Sequence, residues 1–314
     1  MPNQLSRGVA LYLLLIAPVA AQRFSTTSSK VVQPAEIRSG ATFTGDSRLV
    51  LVPATVVDRH GAPLTGLRAE NFSIVEDGKP QPVTSLGEED SPLSVGIVLD
   101  TSKSMWTWLD EAKTAVRDLV ALSNPEDEAF LFTVSTKPAV SSHFTDALGT
   151  LPASTLFVNA EGDTALIDTV YAALLRMREA RRPRKALVVI SDGMDNHSRY
   201  SEAELLRLAA EADTQICTLS IYDPERSRGV EFAEASGGIR LLQELSRRAG
   251  GISIQERYHG ELRADAARLA RDLRTQYLIG FTPASPADAK WHTIRVELRG
   301  ANGKAYARSG FYSK

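Results

Sequence analysis

The chain contains 314 residues, of which 43% are hydrophobic and 24% are charged. This composition is ordinary for a globular protein and allows a large domain together with a smaller one. The formal net charge of -2 offers no electrostatic support for binding nucleic acid or an anionic membrane. Cys217 is the one cysteine in the sequence, so an internal disulfide is excluded and we interpret this residue as part of the core.

The first residues have the pattern of a secretory signal. Arg7 precedes an apolar run over residues 9–17, and the run is followed by Val19, Ala20 and Ala21 at the positions that signal peptidase reads. The run is shorter than the roughly 20 residues of a spanning helix, which favours a cleaved signal over an uncleaved anchor. We therefore expect a signal peptide over residues 1–21 and an exported protein without a membrane span, whether periplasmic, envelope-associated or secreted.

Residues 22–46 are rich in Ser and Thr and are expected to form a linker. Residues 47–90 then predict a small N-terminal β module. Its β-branched runs flank two turn signals, HGAP at residues 60–63 and DG at residues 77–78.

From residue 92 to residue 282, strand patterns alternate with helical patterns. The apolar run of residues 93–99 suits a strand covered on both faces, and Ser201 with Glu204 forms a capping box before a helix. Parallel strands need crossover connections, so this alternation predicts an α/β fold with a doubly wound, mostly parallel sheet and helices on both faces. The predicted strands are 93–99, 129–134, 186–190, 215–221, a short strand near 252, and 277–281. The predicted helices are one near 109–120, then 165–178, 202–212, 239–249 and 261–274.

The C-terminal residues 290–314 return to a β pattern, with Asn302-Gly303 as a hairpin turn signal. Their composition is closer to that of the N-terminal β module than to the α/β region. We hypothesise that this hairpin packs with the N-terminal module, so that the α/β domain is inserted into one split β domain.

Polar side chains follow two strands of the predicted parallel sheet. Asp100, Ser102 and Ser104 come directly after the first strand, Asp192 follows the third, and Thr164 precedes a helix. Open doubly wound sheets bind ligands at the edge where the carboxyl ends of their strands meet. Carboxylates and hydroxyls without His or Cys suit a hard cation, so we expect Mg²⁺, with Mn²⁺ or Ca²⁺ as alternatives.

The stretch DTSKS at residues 100–104 resembles the D-x-S-x-S signature of von Willebrand factor type A domains, and Thr164 and Asp192 match that family's downstream metal-site positions in order. The flanking β segments are similar to those of exported bacterial proteins related to this family. The resemblance implies that Ser102, Ser104 and Thr164 bind the metal directly, and that Asp100 and Asp192 bind it directly or through water. It also implies an adhesion or scaffold module, not an enzyme, whose metal takes an Asp or Glu carboxylate from a partner protein.

Five further residues are candidates for contact with that partner. Lys103 stands where the family often has a small residue, and it either lowers metal affinity, attracts an acidic partner or is simply solvated. Trp106 and Trp108 either anchor a partner or pack onto the first helix. Arg226 and Arg228 follow a strand end, and we expect them to reach the same edge of the sheet and to affect specificity.

Other functional classes also remain open. With a degenerate metal site, the chain would be a metal-independent structural module of an envelope complex. A metal-assisted hydrolase would need a base such as His197 to activate water, but no nucleophile and base pair is evident. An aspartic protease is disfavoured because the sequence has no second Asp-Thr-Gly or Asp-Ser-Gly loop, and a haloacid-dehalogenase-type phosphatase because Ser102 stands where a second Asp is needed.

Overall fold

The structure is a computed structural model that describes residues 49–89, 91–155, 158–222 and 230–313. The signal peptide expected over residues 1–21 and the linker expected over residues 22–46 lie outside these ranges and stay predictions. None of the described helices has the length and hydropathy needed to cross a membrane.

The first nine strands, in chain order, are β1 (Val50–Val57), β2 (Phe72–Glu76), β3 (Lys79–Gln81), β4 (Val83–Glu89), β5 (Leu93–Asp100), β6 (Glu128–Val134), β7 (Ala139–Thr145), β8 (Arg184–Ser191) and β9 (Gln215–Ile221). The later strands are β10 (Ser253–Glu256), β11 (Gln276–Phe281), β12 (Trp291–Leu298), β13 (Lys304–Ala307) and β14 (Gly310–Tyr312). The α-helices are α1 (Leu109–Ala121), α2 (Leu166–Arg176), α3 (Glu202–Glu211), α4 (Val230–Ala249) and α5 (Leu262–Arg274).

A six-stranded sheet forms the centre of the α/β domain. Its strand order is β10-β9-β8-β5-β6-β7, and every neighbouring pair is parallel except β6 with β7. Each residue of β5 is buried, as expected for an apolar strand covered on both faces. The fold class predicted from the sequence is therefore confirmed.

Two hydrophobic cores cover the two faces of this sheet. On one face, α1 and α5 pack against alternate residues of β5 such as Ile97 and Leu99. On the other face, α2, α3 and α4 pack around Val98 and Phe130. Ser201 accepts a hydrogen bond from the Glu204 amide, which confirms the predicted capping box of α3.

The N- and C-terminal strands together form a β sandwich, as the fold prediction required. One sheet has the order β13-β1-β11-β4 and the other has the order β14-β12-β2-β3. The core between the sheets includes Val52, Ile74, Ile279, Ile294 and Phe311. The C-terminal β12 and β13 each pair with an N-terminal strand, β2 and β1 respectively, so neither segment can complete the sandwich alone.

The strand predicted at 277–281 was wrongly assigned to the α/β series. It corresponds to β11, which lies antiparallel between β1 and β4 in the sandwich. Tyr277, Ile279 and Phe281 of this strand are buried in the sandwich core. Its short apolar run is equally compatible with a parallel strand, because burial and not strand direction determines such a pattern.

The hairpin predicted around Asn302-Gly303 is also wrong, because β12 and β13 belong to different sheets. The connection passes from one sheet of the sandwich to the other. A β-carbon at position 303 would lie 2.6 Å from the Val57 carbonyl oxygen, so glycine permits the close approach to β1. An Asn-Gly pair therefore marks the turn here without determining which strands pair.

The α/β domain also differs from the sequence prediction in two elements. The edge strand β7 has an exposed or half-exposed residue at every position, so it lacks the apolar run that identified the other strands. Helix α4 begins at Val230, nine residues before the predicted start at Ile239.

The sandwich and the α/β domain are joined through buried polar contacts. The chain passes between them at Leu93 and again after Arg274. The Leu93 backbone amide donates to the buried Asp127 carboxylate at 2.8 Å, and the Arg274 guanidinium donates to the same carboxylate at 2.7 Å. Gln276 donates to the Gln215 Oε1 atom at 2.5 Å across the same junction. Buried polar groups that are satisfied in this way rigidify a structure, so the two crossings are held together.

Candidate metal centre

The loop after β5 folds tightly around the Asp100 carboxylate. Asp100 is fully buried, and its Oδ1 atom accepts a hydrogen bond from the Ser102 amide at 2.9 Å. The hydroxyl oxygens of Ser102 and Ser104 lie 3.0 Å apart. Thr101 donates both its amide and its hydroxyl to the Val134 carbonyl at the end of β6, at 3.0 and 2.7 Å. The loop that follows β5 is therefore held by hydrogen bonds to the end of β6.

The end of β8 brings further oxygen atoms to Asp100. β5 and β8 are parallel neighbours with Leu99 beside Ile190, so the residues that follow both strands meet at one edge. The Ser191 hydroxyl donates to Asp100 Oδ2 at 2.5 Å and accepts the Gly193 amide at 2.9 Å. Asp192 is half-buried, and its carboxylate turns back to accept the Met194 amide at 3.1 Å.

Gly193 and Gly238 allow α4 to approach this edge closely. Gly193 has a φ of 80°, which favours glycine, and it follows Asp192 directly. A β-carbon at position 238 would lie 1.8 Å from the Gly193 carbonyl oxygen. Backbone contact between the two glycines therefore sets the distance between α4 and the Asp192 loop.

Thr164 lies in a third loop that runs beside the first. The Glu161 amide donates to the Thr101 carbonyl at 2.9 Å, and the Lys103 amide donates to the Gly162 carbonyl at 3.2 Å. The Thr164 amide donates to Asn196 Oδ1 at 2.9 Å. Thr164 is 3% exposed, and these contacts connect its loop to both the loop that follows β5 and the loop that follows β8.

The electrostatics of this cluster favour a bound cation. Burial, followed by the negative charge of Asp192, raises the pKa of Asp100 to about 7 against the opposing effect of hydrogen bonds from Ser102 and Ser191. The described hydrogen-bond partners of Asp100 carry no positive charge. A divalent cation would offset both the desolvation and the repulsion between the carboxylates.

The donor atoms of the cluster fit a hard cation such as Mg²⁺. They are carboxylate and hydroxyl oxygens, which are the ligand types that this ion prefers. Among the described residues, no three His, Cys, Asp or Glu side chains come together as a metal-binding group. The serine and threonine hydroxyls are therefore essential to any metal shell at this edge.

Comparison with known families matches residues 95–194 to the model of the von Willebrand factor type A domain. This chain contains a type A domain. The matched region starts within β5 and ends just after Asp192, so it includes all five residues predicted to bind the metal. Domains of this type are typically protein-interaction modules.

A solved structure has a similar fold. The chain is similar to a von Willebrand factor type A protein from Catenulispora acidiphila, with 12% identity, a TM-score of 0.50, and coverage of 86% of this chain and 74% of that one. It is also similar to the conserved hypothetical protein BatB from Bacteroides thetaiotaomicron (18% identity, TM-score 0.45, 58% and 100% coverage). The PilB minor pilin from Streptococcus sanguinis matches at 13% identity and a TM-score of 0.46, with 59% and 62% coverage. No curated protein matches the sequence.

The candidate partner residues of the type A domain have different environments. Trp106 is 64% exposed and Lys103 is also exposed, so both are accessible beside the cluster. Trp108 is 3% exposed and stacks on the His259 ring with centroids 3.9 Å apart, so of its two alternatives its burial corresponds to packing and not to a partner anchor. Arg226 and Arg228 lie outside the described residues.

His197, the candidate base of a hydrolase, lies at the edge of the same cluster. Its Nδ1 atom is 3.7 Å from Asp163 Oδ2, and both side chains are about half exposed. The backbone amide of His197 donates to the Thr164 carbonyl at 3.0 Å. The described contacts therefore connect this residue to the candidate metal centre through its main chain.

Sequence reasoning missed two residues that contact the cluster directly. Ser191 donates the shortest hydrogen bond to Asp100, and Asn196 holds the backbone of Thr164. Both lie in the stretch SDGMDN at residues 191–196. A polar residue at the end of a buried strand is a detectable signal for Ser191, whereas the contact of Asn196 depends on how two distant loops meet.

Proposed function

We propose that this chain is an exported protein-binding module whose type A domain binds Mg²⁺ and an acidic group of a partner protein. The observation that carries the proposal is the fully buried Asp100 carboxylate, which lies beside Asp192 without a described cationic partner. A buried charge of this kind needs compensation, and a divalent cation supplies it.

The metal would be held by residues from all three loops. We propose that the hydroxyls of Ser102, Ser104 and Thr164 bind it directly and that Asp100 and Asp192 bind it directly or through water. When bound, the ion supplies a positive charge with a coordination position left for an external oxygen atom. Mn²⁺ or Ca²⁺ are the alternatives to Mg²⁺.

The partner would present an Asp or Glu carboxylate to this position. Trp106 and Lys103 lie beside the cluster and are exposed, so we propose that they contact the same partner. An exposed aromatic residue next to a charge-assisted contact is typical of binding hot spots. Arg226 and Arg228 stay candidates for the same surface. We also propose that the signal at residues 1–21 exports the chain to the periplasm, the cell envelope or the medium.

Calorimetric titration of the metal-free protein with Mg²⁺ tests the metal site. We expect saturable binding at one site, with loss of binding in Asp100→Asn and Asp192→Asn. Asp163→Asn is the matched control, because Asp163 is an exposed carboxylate next to Thr164 that is outside the proposed donor set. Absence of binding for Mg²⁺, Mn²⁺ and Ca²⁺ would contradict the proposal and favour the metal-independent structural module.

Selection from a displayed peptide library tests the acidic partner. Peptides captured in Mg²⁺ and released by a chelator should share an Asp or Glu at one position, and their Asn or Gln counterparts should not bind. The Asp192→Asn variant should capture none of them. Capture that persists in the chelator would indicate a surface that does not use the metal.

A further inference from the structure

The loop after β8 holds Thr164 by its main chain on both sides. The Thr164 amide donates to the Asn196 side-chain oxygen at 2.9 Å, and the Thr164 carbonyl accepts the amides of Asn196 and His197, each at 3.0 Å. Thr164 itself is 3% exposed. Two consecutive residues of one loop therefore satisfy both backbone polar groups of a residue in another loop.

The same loop also caps α2, but it does so through different side chains. Ala165, at the N-cap of α2, has no side-chain cap of its own. Asp195 Oδ2 accepts the Ile167 amide at 2.8 Å, and the Ser198 hydroxyl accepts the Asp168 amide at 3.0 Å. The helix start is thus satisfied without Asn196, which leaves the side chain of Asn196 for Thr164 alone.

Different side chains of this loop therefore cap α2 and hold Thr164. Asp192, a proposed metal-binding group, and Asn196 belong to one loop that turns back onto the cluster. The contacts of Asn196 fix the backbone of Thr164 relative to that loop. The hydroxyl of Thr164 is two bonds from this backbone, so the position of Asn196 constrains where the hydroxyl can lie.

We infer that Asn196 is a positioning residue of the metal centre, which holds Thr164 so that its hydroxyl and the Asp192 carboxylate face one cation. The inference rests on the proposed function, because it assigns a role to Asn196 within the proposed metal site. The loss of an outer partner that orients a metal-binding group typically weakens metal binding by about tenfold to a hundredfold.

Three variants of the full chain test this role in Mg²⁺ titrations. We expect Asn196→Ala to weaken Mg²⁺ binding about tenfold or more. Asn196→Asp keeps an acceptor oxygen in the same place and adds only attractive charge, so it should bind at least as tightly as the wild type. Ser198→Ala removes a cap of α2 but no contact of Thr164, and its affinity should stay close to the wild-type value.

Hydrogen exchange in the metal-free protein gives an independent measurement. The Thr164 amide should exchange faster in Asn196→Ala and at the wild-type rate in Asn196→Asp. Thermal unfolding of the metal-free variants shows whether each is folded before its affinity is compared. A metal-affinity loss with an unchanged unfolding midpoint is the result that a purely structural residue would not produce.

Several outcomes would overturn the inference. Unchanged Mg²⁺ affinity in a folded Asn196→Ala variant would do so, and equal weakening by Ser198→Ala would indicate general loosening of the loop. If the wild type itself binds no metal, the proposed function fails first. Unchanged exchange at Thr164 in Asn196→Ala would then also show that Asn196 does not hold this residue.

Discussion

At the scale of single residues, neighbouring side chains of the same type have opposite environments. Trp106 and Trp108 follow the Asp100 loop two residues apart, yet Trp106 is 64% exposed and Trp108 is 3% exposed. Trp108 belongs to the core formed by α1 and α5, and its ring also stacks on His259. Composition and spacing alone do not distinguish these two positions.

The two tryptophans provide a matched pair for a stability measurement. Trp108→Ala leaves a large cavity in a packed core, so we expect it to lower the free energy of unfolding by about 3–5 kcal/mol. Trp106→Ala removes an exposed side chain and should change this free energy by less than about 0.5 kcal/mol. Urea denaturation measures both values. A large loss in Trp106→Ala would mean that its exposed side chain contributes to folding and not only to a binding surface.

His292 gives the sandwich a pH-dependent contact. Its Nδ1 atom lies 2.7 Å from Asp77 Oδ2, and its Nε2 atom lies 3.2 Å from Asp288 Oδ1. Hydrogen bonds to Asp77 and then Asp288 raise the pKa of His292. A backbone hydrogen bond from Lys290, followed by the contact with His292, lowers the pKa of Asp288 to about 2. Hydrogen bonds from His292 and then Thr293 lower the pKa of Asp77.

These directions predict the pH range in which the contact stabilises the fold. A raised histidine pKa stabilises the folded state fully below the unfolded value near pH 6.5, and the contribution is lost as the pH rises through the folded pKa. The lowered pKa values of Asp77 and Asp288 stabilise the folded state above about pH 4, and that contribution is lost as the pH falls towards 2. The contact is therefore strongest between about pH 4 and pH 6.5.

Comparison of wild type with His292→Gln by thermal unfolding measures this effect. The difference between their midpoints should be largest near pH 5–6 and should shrink towards pH 9, as expected from the histidine pKa. His60→Gln is the control, because His60 lies in an exposed loop. A difference that does not vary with pH would show that His292 acts through packing and not through its charge.

At the scale of elements, the candidate metal cluster depends on how a strand end, a loop and a helix approach one another. β5 and β8 are parallel neighbours, which brings Asp100 and Ser191 within hydrogen-bond distance. Helix α4 then passes so close to Gly193 that only glycine fits at position 238. The contact between α4 and the Asp192 loop is thus a property of the paired elements.

Gly237 and Gly238 are adjacent in α4 and should respond oppositely to alanine. At Gly238 the added carbon would lie 1.8 Å from the Gly193 carbonyl oxygen, so Gly238→Ala must displace backbone and should destabilise the fold by about 1–3 kcal/mol or more. At Gly237 the nearest atom is the end of the Arg240 side chain at 3.7 Å. Gly237→Ala should therefore stabilise the helix by about 0.5–1 kcal/mol.

Chemical denaturation of the two variants checks this pair, and a Mg²⁺ titration of the folded Gly238→Ala protein shows whether the displacement reaches Asp192. Equal stabilities for the two variants would contradict the close contact between α4 and the Gly193 backbone.

At the scale of the whole molecule, the α/β domain is inserted between strands that complete a second core. β1 to β4 precede it, and β11 to β14 follow it. Both crossings between the two parts contact the buried Asp127, through Leu93 and Arg274. The insertion hypothesis made from the sequence agrees with this pairing, while the residue boundaries of the domains stay predictions.

Local sequence patterns determined most elements of the α/β domain. The apolar run that became β5 and the capping box of α3 both depend on residues close together in the chain, so their physics is visible without a fold. The polar loop at residues 100–104 was also recognisable, because polar side chains at the end of a buried strand cost free energy unless a partner or a ligand satisfies them.

Only the tertiary structure decided which distant segments meet. β11 joined the sandwich and not the parallel sheet, and β13 paired with β1 and not with β12, since pairing depends on which edges and faces are available in three dimensions. The same reason applies to Asn196 and Thr164, which are 32 residues apart in the chain and meet through two hydrogen bonds. The sequence by itself determined the local elements and the chemistry of the polar loop. The packing of these elements decided the strand partners, the burial of Trp108 and the residues that support the candidate metal centre, because long-range contacts leave no periodic signal in the chain.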